Sequence, residues 1–267
     1  MPRLHRQLRM AICLPALLLF GCASAPEHAE AGRFLEQSLE LAGKTHRYQV
    51  FVPASAARGA RKAPVILFLH GSGERGSDNQ AQVKVGIGDY VRQHMDEFPA
   101  IVVFPQAPAD GEWNDVADVT FAQLDAATRE FGGDTDRSYL TGLSMGGFGT
   151  WDYALREPDR FAALVPVCGG LVAPGRPSMT VAAVAQTDDP YAAAARALKD
   201  VPAWIFHGAK DDVVPPEYSR RMHAALQAEG AKDARYTEFP DANHNSWDPA
   251  YLHTPELWTW LFEQRRR

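Results

Sequence analysis

Gly142-Leu143-Ser144-Met145-Gly146 follows the apolar run Ser138-Tyr139-Leu140-Thr141 and leads into a helix-like stretch from Phe148 to Arg156. A strand, a glycine-flanked serine and a helix in that order form the pattern of a nucleophile elbow, where the serine sits on a sharp, strained turn. Gly142, Gly146 and Gly147 give the two elements room to approach. The helix would also aim its first amides at the point where an oxyanion forms during acyl transfer. A bare Gly-x-Ser-x-Gly also occurs in ordinary glycine-rich turns, so the reading rests on the strand-to-helix setting.

A serine hydroxyl is a weak nucleophile at neutral pH and needs a base with a carboxylate behind it. Both lie downstream. The apolar stretch Val201 to Phe206 runs into His207-Gly208-Ala209-Lys210-Asp211-Asp212-Val213-Val214-Pro215, so Asp211 falls in a loop after a strand. Arg235 to Phe239 is a further short strand, followed by Pro240-Asp241-Ala242-Asn243-His244-Asn245-Ser246-Trp247, a loop dense in turn formers that carries His244. Asp212 is an alternative acid one residue along, and Asp211 could instead cap the helix that starts near Pro216. His70 and His207 read as hydrogen-bonded structural histidines at strand ends.

Outward from these segments, Leu35 to Leu41 and Arg47 to Val52, separated by Ala42-Gly43-Lys44, predict an antiparallel hairpin. Strands are then predicted at Val65 to Leu69, Ile101 to Phe104, Ser138 to Thr141, Ala162 to Val167, Ala203 to Phe206 and Arg235 to Phe239. Helices are predicted at Val116 to Glu130, Tyr218 to Glu229 and Pro255 to Gln264. Alternation of this kind gives an α/β fold, a mostly parallel twisted sheet covered by helices on both faces. Ser144, Asp211 and His244 then all fall at carboxyl ends of strands, where open parallel sheets place their active sites. His70-Gly71-Ser72-Gly73, directly after Val65 to Leu69, is the candidate oxyanion loop. The amides of Ser72 and Met145 are the expected donors, each worth about 3 kcal/mol of transition-state stabilisation.

The chain resembles the α/β-hydrolases of the phospholipase/carboxylesterase type, particularly a bacterial subgroup described as predicted peptidases or esterases. The likeness rests on His70-Gly71-Ser72-Gly73-Glu74-Arg75-Gly76, on Gly142-Leu143-Ser144-Met145-Gly146-Gly147, on His207-Gly208 with Asp211 and Pro215, and on His244-Asn245-Ser246-Trp247-Asp248. It runs from Leu35 nearly to the end. The order Ser, Asp, His is that of the α/β-hydrolase fold. The resemblance implies Ser144, Asp211 and His244 as a triad, hydrolysis of carboxylic esters, and Asp211 in preference to Asp212. A serine peptidase of the prolyl-oligopeptidase kind is the alternative enzyme, against which the absence of an N-terminal propeller weighs. A non-catalytic envelope lipoprotein that keeps the fold for binding is the alternative outside enzymes.

Substrate specificity is less legible. Gly170 to Lys199, where this fold can carry a cap, is short and rich in alanine, proline and glycine, which predicts no large lid. Trp113 and Trp247 could line a substrate pocket or pack the loops, and Glu74 and Arg75 could pair to hold the oxyanion loop. No phosphate-cradling loop and no zinc-type Cys/His spacing is present, so no cofactor or metal is expected.

The amino terminus carries a separate message. Arg3, Arg6 and Arg9 precede an apolar run from Met10 to Phe20, too short to span a bilayer but suited to a signal peptide. It ends at Leu19-Phe20-Gly21-Cys22, which resembles a bacterial lipobox, although Phe20 is bulkier than usual there. The predicted division is a signal peptide over 1–21, a tether over 22–33 and a hydrolase domain over 34–267. Ordinary secretion with cleavage near Ala23 or Ala25 is the alternative. The chain has 27 basic and 33 acidic side chains, and loss of three arginines would take its net charge from −6 to −9. That balance disfavours nucleic acid as a partner. Of three cysteines, only Cys168 would remain unmodified in a lipidated mature domain, which excludes an internal disulfide there. Replacing Cys22 by serine is expected to move the protein from the membrane fraction to the soluble fraction. Unchanged partition on ultracentrifugation would rule out lipidation at Cys22.

Overall fold

The computed structural model describes residues 1, 31–57 and 62–266. Apart from Met1, the expected signal segment lies outside the described residues, as do Cys22 and the tether as far as residue 30. The chain runs β1 (Arg33–Leu41), β2 (Lys44–Val52), α1 (Ala54–Ala57), β3 (Ala63–Leu69), α2 (Ile87–Gln93), β4 (Ile101–Pro105), α3 (Ala117–Glu130) and β5 (Gly133–Leu143). It continues with α4 (Met145–Arg156), β6 (Ala163–Val167), α5 (Pro190–Leu198), β7 (Ala203–Gly208), α6 (Glu217–Ala228), β8 (Ala234–Phe239), α7 (Trp247–Leu252) and α8 (Pro255–Glu263).

The eight strands form one sheet in the order β1-β2-β4-β3-β5-β6-β7-β8. β2 pairs antiparallel with both β1 and β4, and the pairs from β4 to β8 are all parallel. Ala42 and Gly43 join β1 to β2 with φ of 50° and 74°, as a two-residue turn of the twist-matched kind demands. Every residue of β3, β4, β6 and β7 is buried, because helices cover both faces of the parallel part. The pleat sends alternate side chains into two cores. Val65, Leu67 and Leu69 of β3 pack with Leu124 of α3, Phe148 and Trp151 of α4 and Met222 of α6. Ile66 and Phe68 pack on the other face with Val91 of α2, Tyr251 of α7 and Trp258 of α8.

The sequence reading of the strands holds, with ends that shift by up to a few residues; β5 is the longest extension, from Ser138 back to Gly133. Four helices escaped it, the four-residue α1 among them. α2 contains Gly88 and begins after Gly86, so its local propensity is weak. α5 did carry a signal: Asp189 accepts hydrogen bonds from the amides of Tyr191 and Ala192, and Pro190 occupies the first turn. α7 begins at Trp247, which therefore belongs to a short helix and not to the loop of His244. Between β6 and β7 there is a short 3-10 turn, Pro177–Met179, and then α5, with no large lid.

After β3 the chain moves to β4 on one side and then crosses to β5 on the other. The sheet's switch point thus lies at the carboxyl ends of β3 and β5, where the crevice of an open α/β sheet forms. The approach of α4 to β3 there is extreme. A Cβ on Gly146 would stand 1.9 Å from the carbonyl oxygen of Leu69. Backbone offers no flexible end to move aside, so Gly146→Ala is expected to destabilise the fold by about 3 kcal/mol or more. Urea denaturation measures this, and a midpoint equal to that of the parent protein would contradict the close approach.

Candidate active site

Ser144 joins β5 to α4 with φ 53° and ψ −117°, a conformation costly for any residue with a side chain. Its amide donates to Val167 on β6 at 3.0 Å, and its carbonyl accepts from Gly147 and Phe148 as the first turn of α4 closes. The turn lifts Oγ clear of the sheet. His244 Nε2 lies 2.9 Å from that Oγ, and His244 Nδ1 lies 2.8 Å from Asp211 Oδ2. The carboxylate can only accept, so Nδ1 carries the proton and Nε2 is left to receive the serine's. The structure thus brings Ser144, His244 and Asp211 into one chain of hydrogen bonds, whereas Asp212 is exposed beside it.

The acid and base meet because β7 and β8 are parallel neighbours in register, Gly208 opposite Phe239. Beyond the strands, Ala209 N–H donates to Phe239 and Lys210 N–H to Ala242, so the two loops are zipped together. A Cβ on Gly208 would come within 2.2 Å of the Asn243 carbonyl, which makes glycine the residue that fits there. Asp211 is buried, and burial by itself raises a carboxyl pKa. Hydrogen bonds from His207, His244 and the amides of Val214 and Val213 outweigh that and hold the group well below the usual carboxylate range. Trp247 packs edge-on against His244, with ring centres 5.6 Å apart.

The loop after β3 is braced from below. His70 is fully buried; its Nε2 accepts from the Ala107 amide at 3.0 Å and its Nδ1 lies 2.6 Å from the Gly71 carbonyl. Burial pushes its pKa down to about 4, which keeps the ring neutral with the proton on Nδ1. Trp113 Nε1 donates to the His70 carbonyl at 3.0 Å, and Tyr153 Oη donates to the Trp113 carbonyl. Burial raises the pKa of Glu74, partly offset by hydrogen bonds from the Gly71 and Glu74 amides. The Gly71 amide is thus engaged with the Glu74 carboxylate, and the Ser72 amide follows it in the loop. Met145, as the first residue of α4, has an amide with no intrahelical acceptor.

Two expectations about these loops need correction. Arg75 does not pair with Glu74. It pairs with Glu112 at 3.7 Å and donates to the carbonyls of Ser72 and Gly111, because Glu74 is turned inward under Gly71. Nor do Trp113 and Trp247 line the cavity at Ser144. That cavity, of about 200 Å³, is walled by Phe148, Met179, Val214, Pro215 and Tyr218, with Arg176 also on its lining. Trp113 is 2 % exposed and braces the oxyanion loop. Phe148 comes from α4 and Tyr218 from α6, and the other wall residues come from the 170–180 segment and the loop after β7, where of these only Pro215 belongs to a sequence motif.

Cys168 Sγ, an Asp211 oxygen and a His244 nitrogen lie within 4.8 Å of one another. These donors are unsuited to a metal, since Asp211 and His244 are bonded to each other and burial pushes the Cys168 thiol up to about 12. Cys168 is free and fully buried.

The sheet order, the strained serine elbow and the crossover at β3 and β5 define the class: the chain has the α/β-hydrolase fold. Comparison with known proteins agrees. The solved structure of a thermostable esterase superposes with a TM-score of 0.66 at 33% identity, over 87% of this chain and 63% of that one. The chain is similar to an uncharacterized secreted protein of Arthroderma benhamiae, 28% identical over 68% of this chain and 21% of that protein. It is also similar to a bifunctional acetylxylan esterase/xylanase of Neocallimastix patriciarum, 24% identical over 75% of this chain and 28% of the relative. The chain thus spans less than a third of the length of these two curated relatives. Residues 179–263 match the prolyl oligopeptidase family, a stretch that holds Asp211 and His244 but not Ser144.

The buried His70 makes stability depend on pH. With a folded pKa near 4 against 6.5 for a free histidine, the unfolded chain takes up a proton between those values and the fold does not. Its contribution is complete above about pH 6.5 and declines as pH falls toward 4, by about 3 kcal/mol in total. His70→Asn is expected to flatten that part of the profile of unfolding free energy against pH. An unchanged slope in denaturant titrations from pH 7 to 4.5 would refute this.

Proposed function

We propose that the protein is an exported serine carboxylesterase. The observation that carries this reading is the unbroken chain from Ser144 Oγ through His244 to Asp211, at 2.9 and 2.8 Å, beside an open apolar cavity. In the first step Ser144 Oγ bonds to the ester carbonyl carbon while His244 Nε2 takes the hydroxyl proton. The developing imidazolium is stabilised by the Asp211 carboxylate, and the oxyanion by the amides of Met145 and Ser72. His244 then gives the proton to the departing alcohol, leaving an acyl group on Ser144. Water then bonds to the acyl carbon as it loses a proton to Nε2, and the acid leaves when the bond from that carbon to Ser144 Oγ breaks and Nε2 returns the proton to Oγ.

Esters are preferred to amides as substrates for two reasons. The similar proteins of known description include esterases, and the match to the prolyl oligopeptidase family covers only the acid and base that both chemistries share. Export is supported by the secreted relative and by the basic and apolar residues 3–20. Among the described residues no helix is long and apolar enough to cross a membrane. The finer reading adds a lipid anchor at Cys22, which would hold the enzyme at the cell envelope without a membrane span.

The small apolar cavity suits short acyl groups. p-Nitrophenyl acetate and butyrate are expected to be hydrolysed faster than the octanoate. Ser144→Ala should lower kcat by about a million-fold and abolish labelling by a fluorophosphonate probe. Faster cleavage of dipeptidyl anilides than of all three esters would favour the peptidase, and a folded parent protein inert to esters, anilides and probe would favour a binding role.

A further inference from the structure

Asp211 has a second imidazole on it. His207, the fifth residue of β7, is fully buried, and its Nε2 lies 3.2 Å from Asp211 Oδ2, the same oxygen that His244 Nδ1 approaches. Nε2 also lies 2.9 Å from the Val214 carbonyl. Both neighbours of Nε2 can only accept, so Nε2 carries a proton, and in the neutral ring Nδ1 is the acceptor. Nδ1 faces Ser219 Oγ at 2.7 Å, on α6, and Ser219 therefore donates. The other carboxylate oxygen, Oδ1, is taken by the amides of Val213 and Val214, each at 2.9 Å.

We infer that His207, with its tautomer fixed by the Val214 carbonyl and Asp211 and its ring held by Ser219, is a positioning residue for the proposed triad: it fixes the Asp211 carboxylate and sets how strongly that carboxylate stabilises the imidazolium of His244. The inference rests on the proposed serine-hydrolase chemistry. Its physical basis is a shared acceptor. Oδ2 divides its negative charge between two N–H donors, so His207 moderates the hold of Asp211 on His244 while preventing the carboxylate from turning away. A purely structural histidine would not need its Nε2 proton on Asp211, since the Val214 carbonyl alone could accept it. The titratable groups around the pair are Asp211 on the adjoining loop, His244 after β8, Cys168 at the end of β6, and Glu238 of β8, which stands opposite His207 in the sheet and is held by Arg220.

His207→Asn and His207→Gln separate the roles. The asparagine amide occupies the region of Nδ1 and keeps a partner in Ser219, but it stops short of Asp211. The glutamine amide reaches the region of Nε2 and restores the donor. With p-nitrophenyl butyrate, His207→Asn is expected to lower kcat by about tenfold or more with KM little changed. The acidic limb of its kcat profile should move to higher pH, since the undivided charge of Asp211 favours protonated His244. His207→Gln should recover most of the rate and the original limb, and Ser219→Ala should shift both in the same direction as asparagine, by less. Equal impairment of the asparagine and glutamine variants, or a folded asparagine variant with the parent's rate and limb, would overturn the inference. Proton NMR of the His244 Nδ1–H resonance gives the same comparison without turnover. If the parent hydrolyses no ester, a titration midpoint raised in His207→Asn still supports the positioning role, and an unmoved one refutes it. If His207→Asn fails to fold, Ser219→Ala decides by the same two criteria.

Discussion

Ser144 can meet His244 only where the chain turns from β5 into α4 with φ at 53°, and that turn is possible only where the backbone of Gly146 lies against the carbonyl of Leu69. The strain in such a residue is of order 1–3 kcal/mol, and it persists because packing on every side leaves the turn no relaxed alternative. Val167 accepts the Ser144 amide, β3 blocks retreat on one side and Phe148 and Trp151 anchor α4 into the core. The core and the candidate site are therefore one construction. The same turn that exposes Oγ sets Met145 at the start of α4, with its amide free of the helix's own hydrogen bonds.

Around that fixed point the flanking loops are held by buried polar groups in place of apolar packing. The loop after β3 hangs on His70, Trp113 and Arg75, and each of these bonds a backbone carbonyl or amide of the loop or its neighbour. The loops after β7 and β8 are zipped to each other and share Asp211, whose two oxygens receive four N–H groups. Buried polar networks of this kind define geometry, since displacement of a bonded group leaves it without a partner in a medium that cannot replace it. That is the condition an electrostatically preorganised site requires.

Much of this was readable from the chain. Ser144, Asp211 and His244 each sit in a local pattern that names its place: glycines around the serine, a strand running into turn formers for the other two. Other features carried no such mark. That Arg75 would seek Glu112, 37 residues on, and leave its neighbour Glu74 turned under Gly71 depends on how two loops fold over each other. By residue type Trp113 fits a pocket wall or a brace equally, and its indole N–H on the His70 carbonyl makes it a brace. The cavity wall at Ser144 is drawn from Met179, Val214, Pro215 and Tyr218, residues ordinary in type and distant in sequence. α5 was legible in Asp189-Pro190, whereas α2 has weak local propensity and is held by the apolar contacts of Ile87 and Val91.

By itself the sequence determined the class of fold and the chemical type of the central residues, because strand periodicity, glycine at close approaches and proton-transfer groups in turn-rich loops are local properties. The tertiary structure alone decided what walls the cavity, which tryptophan braces and which packs on His244, and that His207 shares the carboxylate of Asp211. Those outcomes depend on the register of β7 against β8 and on the order in which β3, β4 and β5 assemble. Contacts between segments thirty to a hundred residues apart are fixed by that assembly, and no local pattern encodes them.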